Sequence, residues 1–268
     1  MLRKFIFVAT CLVLVFSADA QVKRKIKKGR RNKSQSDFAL NKGDIEVDWE
    51  LGYETVTPLI HSFVWPNTAI RYGLTDRLEV NAEFSPISAW DRSVSPSTNF
   101  TGVEPVSFGF NYQLSTESKD RPSLVLSAQL AIPYFATTHF TADRYAPMAE
   151  IIANLPLHKH HVIGLSSGVF WDGFSPDPSF IYNANYTCHL TDKWDLGAAV
   201  FGFMNGGPSQ HNIDLNAAYN FTPDIQLGAT GGIGLTPTSH RSYFAINGQW
   251  GMNLLAKRKR INRGNSGF

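Results

Sequence analysis

Cysteine is almost missing from this chain, which carries two among 268 residues, Cys11 and Cys188. Cys11 falls inside an apolar run from Phe5 to Phe16, after a basic start and before the small-x-small triplet Ala18-Asp19-Ala20. That arrangement is a secretory signal peptide, residues 1–20, cut before Gln21. Cys11 has no good lipobox around it, which argues against a lipid-anchored start. Removal of the leader leaves Cys188 alone, so the mature chain forms no internal disulfide and an exported protein must draw its stability from elsewhere. Long apolar runs are missing too. Beyond the leader no window approaches the ~18 consecutive apolar residues of a membrane helix, which excludes a helical span.

Charge is sparse, at 18% of residues, and the formal net charge of +3 misleads. Much of the positive charge sits in "QVKRKIKKGRRNKSQSD" after the cut and in "KRKR" at 257–260. The first stretch has no aromatic residue with which to build a core, so residues 21–43 are expected to form a basic, disordered periplasmic segment and 256–268 a basic tail. The body between them, 44–255, is closer to acidic, which leaves no nucleic-acid footprint.

What the body does have is one dominant period, and it is two. "DIEVDWELGY" sets Ile45, Val47, Trp49, Leu51 and Tyr53 on one face and Asp44, Glu46, Asp48 and Glu50 on the other. The alternation recurs in "VSFGFNYQL", "FIYNANYTCHL" and "IDLNAAYNF", and no segment carries a comparable helical stripe. The fold class is therefore all-β.

The connections separate a soluble sandwich from a barrel. Tight polar turns at Thr75-Asp76, 116–121, 158–161, Thr191-Asp192 and 222–224 alternate with longer links such as "SPISAWDRSVSPSTNFTG" and "PYFATTHFTADRYAP". Short turns at one end and longer loops at the other are the habit of outer-membrane barrels. Twelve strands are predicted, over 44–53, 62–74, 77–86, 103–115, 122–132, 146–155, 161–171, 179–190, 193–204, 210–221, 224–235 and 241–254. The expected architecture is a transmembrane, antiparallel, up-and-down β-barrel in the outer membrane of a Gram-negative bacterium, with lipid as its first partner.

In hydrocarbon a sheet must close on itself, with one face to lipid and one to an enclosed lumen. A charge on the lipid face near the midplane costs on the order of 2–4 kcal/mol, and a lumen charge escapes most of that. The hairpin "RYGLTDRLEVNAEF" then reads with Val80, Ala82 and Phe84 toward lipid and its charges inward. The expected lumen-lining set is Asp44, Glu46, Asp48, Glu50, Arg71, Arg77, Glu79 and Glu83. By the same parity Cys188 faces lipid with Tyr182 and Tyr186. Tyr72, Tyr112, Tyr186, Tyr219 and Phe221 near the tight turns, and Trp65, Trp90 and Trp171 near the long loops, suggest two interfacial girdles.

The hairpin "IRYGLTDRLEV", its echoes "CHLTDKWDLGAAV" and "YNFTPDIQLGATGGIGL", and the final "RSYFAINGQWGMNL" resemble the outer-membrane barrel family labelled putative MetA-pathway of phenol degradation, over residues 44–255. The resemblance implies passage of small, often hydrophobic compounds. The chain departs from many outer-membrane barrels in running on past its last strand, so that Phe268 is terminal but belongs to no alternating pattern.

Sites for other chemistry are thin. His158, His160 and His161 invite a metal reading, but adjacent histidines in a short turn point in different directions and no carboxylate or cysteine is near in sequence. "TGGIG" at 230–234 lies within a strand, with no helix to bind phosphate, so its glycines serve bending or close packing. "SHRS" at 239–242 could suggest a lipid hydrolase, yet neighbours in a strand face opposite ways and no triad is evident. No catalytic residue, metal or cofactor is therefore expected. The expected function is an outer-membrane channel for small, hydrophobic or aromatic solutes; the alternative is a non-conducting barrel acting as scaffold or receptor through its loops.

Overall fold

In a computed structural model of the chain, residues 39–93, 98–116, 122–158, 160–205 and 209–254 are described. The signal peptide, the basic stretch to residue 38 and the tail from residue 255 lie outside the described residues. The described chain forms one antiparallel sheet of fourteen strand segments. They are β1 Asp44–Thr57, β2 Ile60–Gly73, β3 Leu78–Phe84, β4 Pro86–Asp91, β5 Thr98–Val103, β6 Val106–Ser115, β7 Ser123–Ile132, β8 Ala146–His158, β9 His161–Phe170, β10 Ser179–His189, β11 Trp194–Met204, β12 Gln210–Thr222, β13 Ile225–Gly234 and β14 Ser242–Asn253.

Fourteen segments make twelve barrel strands, because two of those strands are interrupted. β2 pairs with β3 near the short-turn end and with β4 beyond Ser85, so β3 and β4 form one bent strand. β5 pairs with β4 and β6 with β3, so β5 and β6 form the next, broken at Glu104 and Pro105. Pro105 has no N–H to give the ladder. The Glu104 N–H instead donates to the Ser85 carbonyl at 2.9 Å and ties the two breaks together. The sheet closes where β1 meets β14, in register from Asp44↔Asn253 to Thr55↔Ser242, while β1 also pairs with β2. Closure gives β1 a partner on both sides, and among the described strands β5, above the break, pairs with β4 alone.

Burial runs opposite to that of a soluble domain. On β6, Asn111 and Gln113 are each 2% exposed, whereas Phe108, Phe110, Tyr112 and Leu114 are 40–49% exposed. The same inversion holds on β3, with Glu79 fully buried and Phe84 exposed, and on β10, with Asn183, Thr187 and His189 buried and Phe180 and Tyr186 exposed. Exposed apolar side chains from nearly every strand join into a band far larger than a soluble monomer tolerates. The outer face is the lipid face. Near the short turns Trp194, Tyr219 and Phe221 stack edge to face at 5.0 and 4.8 Å, and Phe63 and Trp65 do so toward the other end at 4.9 Å.

The repeated Thr-Asp turns have a common device. Thr75 Oγ1 accepts from the N–H groups of Arg77 and Leu78 at 3.1 and 2.9 Å, and Thr191 Oγ1 accepts from those of Lys193 and Trp194 at 3.1 and 3.0 Å. A threonine hydroxyl thereby satisfies two backbone donors that the ladder has released.

At the opposite end the structure departs from expectation. The stretch read as a long loop after the third strand is the β4–β5 hairpin, which extends the sheet. Its inner face is apolar: Ile87 and Ala89 pack with Val64 and with Phe140, brought in by the β7–β8 connection. That connection begins as a 3-10 turn at Pro133–Phe135 and is stitched to the sheet by Thr137 N–H to the Val103 carbonyl at 3.0 Å. Because both faces of β4 are partly apolar, the period-two signal fades there.

Cys188 is half-buried on the outer face of β10, between the inward Thr187 and His189. In proteoliposomes a membrane-impermeant maleimide should label it slowly and an apolar maleimide quickly; fast labelling by the impermeant reagent would mean a register slipped by one residue. The detergent-folded protein should also show a β-rich circular dichroism spectrum and change its electrophoretic mobility only on boiling, whereas solubility as a monomer without detergent would contradict the barrel.

Candidate functional site

The interior of the barrel gathers most of the residues expected there. On β1, Glu46 and Glu50 are buried on the inner face, Asp48 is partly open, and Asp44 sits at the rim, bonded by Asn253 and by Asn41. From β2, Arg71 reaches across this wall to pair with Glu46, with Asp48 at 2.9 Å and with Glu79 at 3.6 Å. Glu79 also accepts from Asn111 Nδ2 and from the Leu40 N–H, both at 2.8 Å. Glu83 accepts from Asn67 at 3.0 Å and Gln129 at 3.2 Å. Arg77 stands apart: it lies exposed in the turn before β3 begins, where strand parity has no hold on side-chain direction. Residues Ala39 and Leu40, at the end of the stretch expected to be disordered, are buried against this inner wall.

Several inner carboxylates lie beyond the expected set. Glu54, Glu104, Glu150 and Asp214 are each no more than 4% exposed. Glu54 accepts from Ser62 at 3.3 Å and lies 3.4 Å from His240 Nδ1, Asp214 accepts from the Tyr243 hydroxyl at 3.3 Å, and Asp195 pairs with His189 at 2.6 Å. Against them, Arg71 is the single buried lysine or arginine among the described residues; the others are exposed. The wall is acidic and only partly balanced.

The interior is also divided along its length. Toward the longer loops, Met148, Phe170, Ile181, Ala199, Phe201, Phe203 and Tyr243 form an apolar inner cluster. Phe170 meets Phe203 edge to face at 5.6 Å and Phe201 meets Tyr243 at 6.3 Å. β11 explains why alternation did not reveal it: Phe201 and Phe203 face inward while Val200 and Met204 face lipid, so both faces are apolar. One glycine of "TGGIG", Gly232, serves the same cluster. A Cβ on Gly232 would lie 2.2–2.6 Å from the Tyr243 ring, so glycine lets Tyr243 cross β13 to reach Asp214.

Two cavities open off the lumen. One, about 70 Å³, lies between Glu83, Glu104 and Asp172 and the apolar Met148, Phe170 and Trp171. The other, about 80 Å³, lies lower, among Asp48, Glu50, Arg71, Asn81 and Glu83. Neither matches the ~150 Å³ of an apolar cavity that takes benzene.

The remaining motifs do not converge. His161 Nδ1 is hydrogen-bonded to the Tyr186 hydroxyl at 2.6 Å on the outer face, and no group of three or more metal-competent side chains occurs among the described residues. Ser239 Oγ donates to the His211 carbonyl at 2.8 Å.

The model of the family described as Putative MetA-pathway of phenol degradation matches residues 28–250. Among solved structures, an outer membrane channel from Pseudomonas putida F1 superposes with a TM-score of 0.62 at 14% identity, covering 80% of this chain and 97% of that one. The KdgM porin gives 0.54 at 6% identity and the NanC porin 0.53 at 11%, each covering 76% of this chain and 98% of its own. At such identities the likeness is one of fold, an outer-membrane barrel. No curated protein matches the chain.

Arg71 holds the lower wall together, and its loss should be costly. Arg71→Met leaves Glu46, Asp48 and Glu79 without their cation and should lower stability by roughly 3–5 kcal/mol, the cost of breaking a buried ion pair. Arg71→Lys should recover only part, since an ammonium cannot fork to three carboxylates. The midpoint for loss of the heat-modifiable band in guanidinium measures both; an unchanged Arg71→Met midpoint would show that the carboxylates do not depend on this pairing.

Proposed function

Because this chain belongs to the family described as Putative MetA-pathway of phenol degradation, we propose that it is an outer-membrane channel through which small solutes cross a Gram-negative outer membrane. The observation that carries this reading is the interior itself. A barrel serving only as a surface scaffold gains nothing from a run of inner carboxylates with a single buried arginine to balance them, because each charge taken from water costs free energy unless paired. A passage for solutes uses the field of such groups. The apolar cluster near the long loops gives a hydrophobic or aromatic solute a place to leave water, and the acidic, hydrogen-bonding zone below lies between that place and the short-turn end.

The second reading, a non-conducting barrel working through its loops, is favoured by the small cavities and by Leu40 and Phe140, which tuck into opposite ends of the barrel. The basic segment from Lys23 to Lys33 carries charge opposite to the wall and could serve the same blocking role. Hydrolysis has no support in the arrangement of Ser239 and His240.

Planar-bilayer recordings decide between the two. The mature chain should conduct, with cations preferred over anions, and removal of residues 21–38 should raise conductance if that segment obstructs the passage. Glu46→Gln, Asp48→Asn and Glu50→Gln combined should shift the zero-current potential toward anions. The shift should be larger at ~0.1 M than at ~1 M salt, as the Debye length falls from about 10 Å to about 3 Å. Absence of conductance in both the mature and the shortened chain would favour the scaffold; a conducting barrel indifferent to the triple substitution would take the β1 wall out of the permeation path.

A further inference from the structure

The upper cavity, between the interrupted strands and the apolar cluster, is built unlike the rest of the lumen. Glu83, Glu104 and Asp172 line it, and no lysine, arginine or histidine does. Two of these carboxylates are engaged: Asp172 Oδ1 accepts from the N–H groups of Phe174 and Ser175, both at 2.8 Å, and Glu83 is held by Asn67 and Gln129. Glu104 differs. It is 4% exposed, its backbone is fixed by the bond to Ser85, and its Oε1 has no hydrogen-bond partner in the described protein. A buried, unsatisfied carboxylate oxygen carries a desolvation cost that a donor from a ligand would remove. The opposite wall is apolar, and its Met148 and Phe170 belong also to the aromatic cluster.

We propose that this cavity is a binding subsite for small organic cations with an apolar body, the ammonium head seated among Glu104, Glu83 and Asp172 and the body lying against Phe170 and Met148. Three features select that class. Three carboxyl groups face the cavity with no lysine, arginine or histidine among its lining residues, so an entering cation meets no competing partner and is favoured over a neutral or anionic solute. About 70 Å³ accommodates an ammonium head and a few carbons, and the shared residues lead any larger body toward the cluster. A bare metal ion is a poorer match, because half the wall offers no ligand and a metal ion surrounds itself with oxygen or nitrogen donors. Phe170 and Trp171 add aromatic faces on which an alkylammonium is held by cation–π attraction.

The proposal rests on the channel reading for its biological sense, but binding can be measured without conduction. Calorimetric titration of the full mature barrel, folded in detergent, with 2-phenylethylammonium, 2-phenylethanol and phenylacetate compares one skeleton in three charge states. The ammonium should bind roughly tenfold tighter than the alcohol, the size of one charge-assisted hydrogen bond, and phenylacetate weakest of all. Glu104→Gln should bring the ammonium to the level of the alcohol, and Glu83→Gln should do so in part, which keeps the test open if the first variant folds poorly. Phe170→Ala should weaken ammonium and alcohol alike, and Asp177→Asn, on an exposed loop, should leave the order intact. Equal affinities for the three probes, or an ammonium preference that survives both glutamate substitutions, would overturn the subsite. Charge-selective binding by a barrel that passes no current would leave the subsite standing and remove the channel; current without selective binding would do the reverse.

Discussion

Everything in this structure depends on the ladder between β1 and β14. Hydrocarbon offers no partner for a free N–H or carbonyl, so a sheet that spans it must end where it began. The register from Asp44↔Asn253 to Thr55↔Ser242 meets that requirement and, by closing, creates an inside. The alternation of each strand then acquires its meaning: one parity solvates apolar side chains in lipid, and the other collects polar groups around a shared axis. Without closure, Glu79 and Asn111 would have nothing to face but acyl chains.

Once an inside exists, its contents are decided by electrostatics more than by packing. Carboxylates from β1, β3, β8 and β12 converge on it, and Arg71 binds three of them. The excess negative charge and the interrupted strands are linked. Pro105 and Ser85 break two neighbouring ladders at one level, and the break places Glu104 in the wall above Glu83. A regular strand would have continued the alternation through this point; the irregular one delivers a carboxylate to the boundary between the acidic zone and the aromatic cluster. Bulges and breaks in strands commonly re-aim side chains in this manner.

The barrel was legible from the sequence because lipid enforces alternation where the inner face is polar. The twelve strands rest on that contrast and the sheet has them; on β1–β3, Glu46, Glu50, Arg71 and Glu79 are buried while Ile70 and Phe84 are exposed. Where the inner face is itself apolar the contrast vanishes. The β4–β5 hairpin reads as a loop for that reason, and Phe201 and Phe203 give no sign of facing inward. Arg77 fails for a different reason, since a turn residue has no strand parity to inherit. Glu104 could not be found by alternation because it lies in a break between β5 and β6; the dipeptide Glu104-Pro105 was the available signal, as proline within a strand marks an interruption.

Closure is also the claim most directly open to measurement. Tyr53 on β1 and Phe244 on β14 are paired partners, both exposed on the outer face toward the long-loop end. In a Cys188→Ala background, Tyr53→Cys with Phe244→Cys should oxidise to a disulfide in the folded, membrane-inserted protein, because directly opposed strand residues lie within disulfide reach. A closed barrel predicts a covalent loop that alters mobility after denaturation and disappears on reduction. Failure of that bridge, in a protein where the β1–β2 pair Tyr53→Cys with Phe63→Cys forms one, would mean that β1 is a free edge and the sheet encloses no lumen.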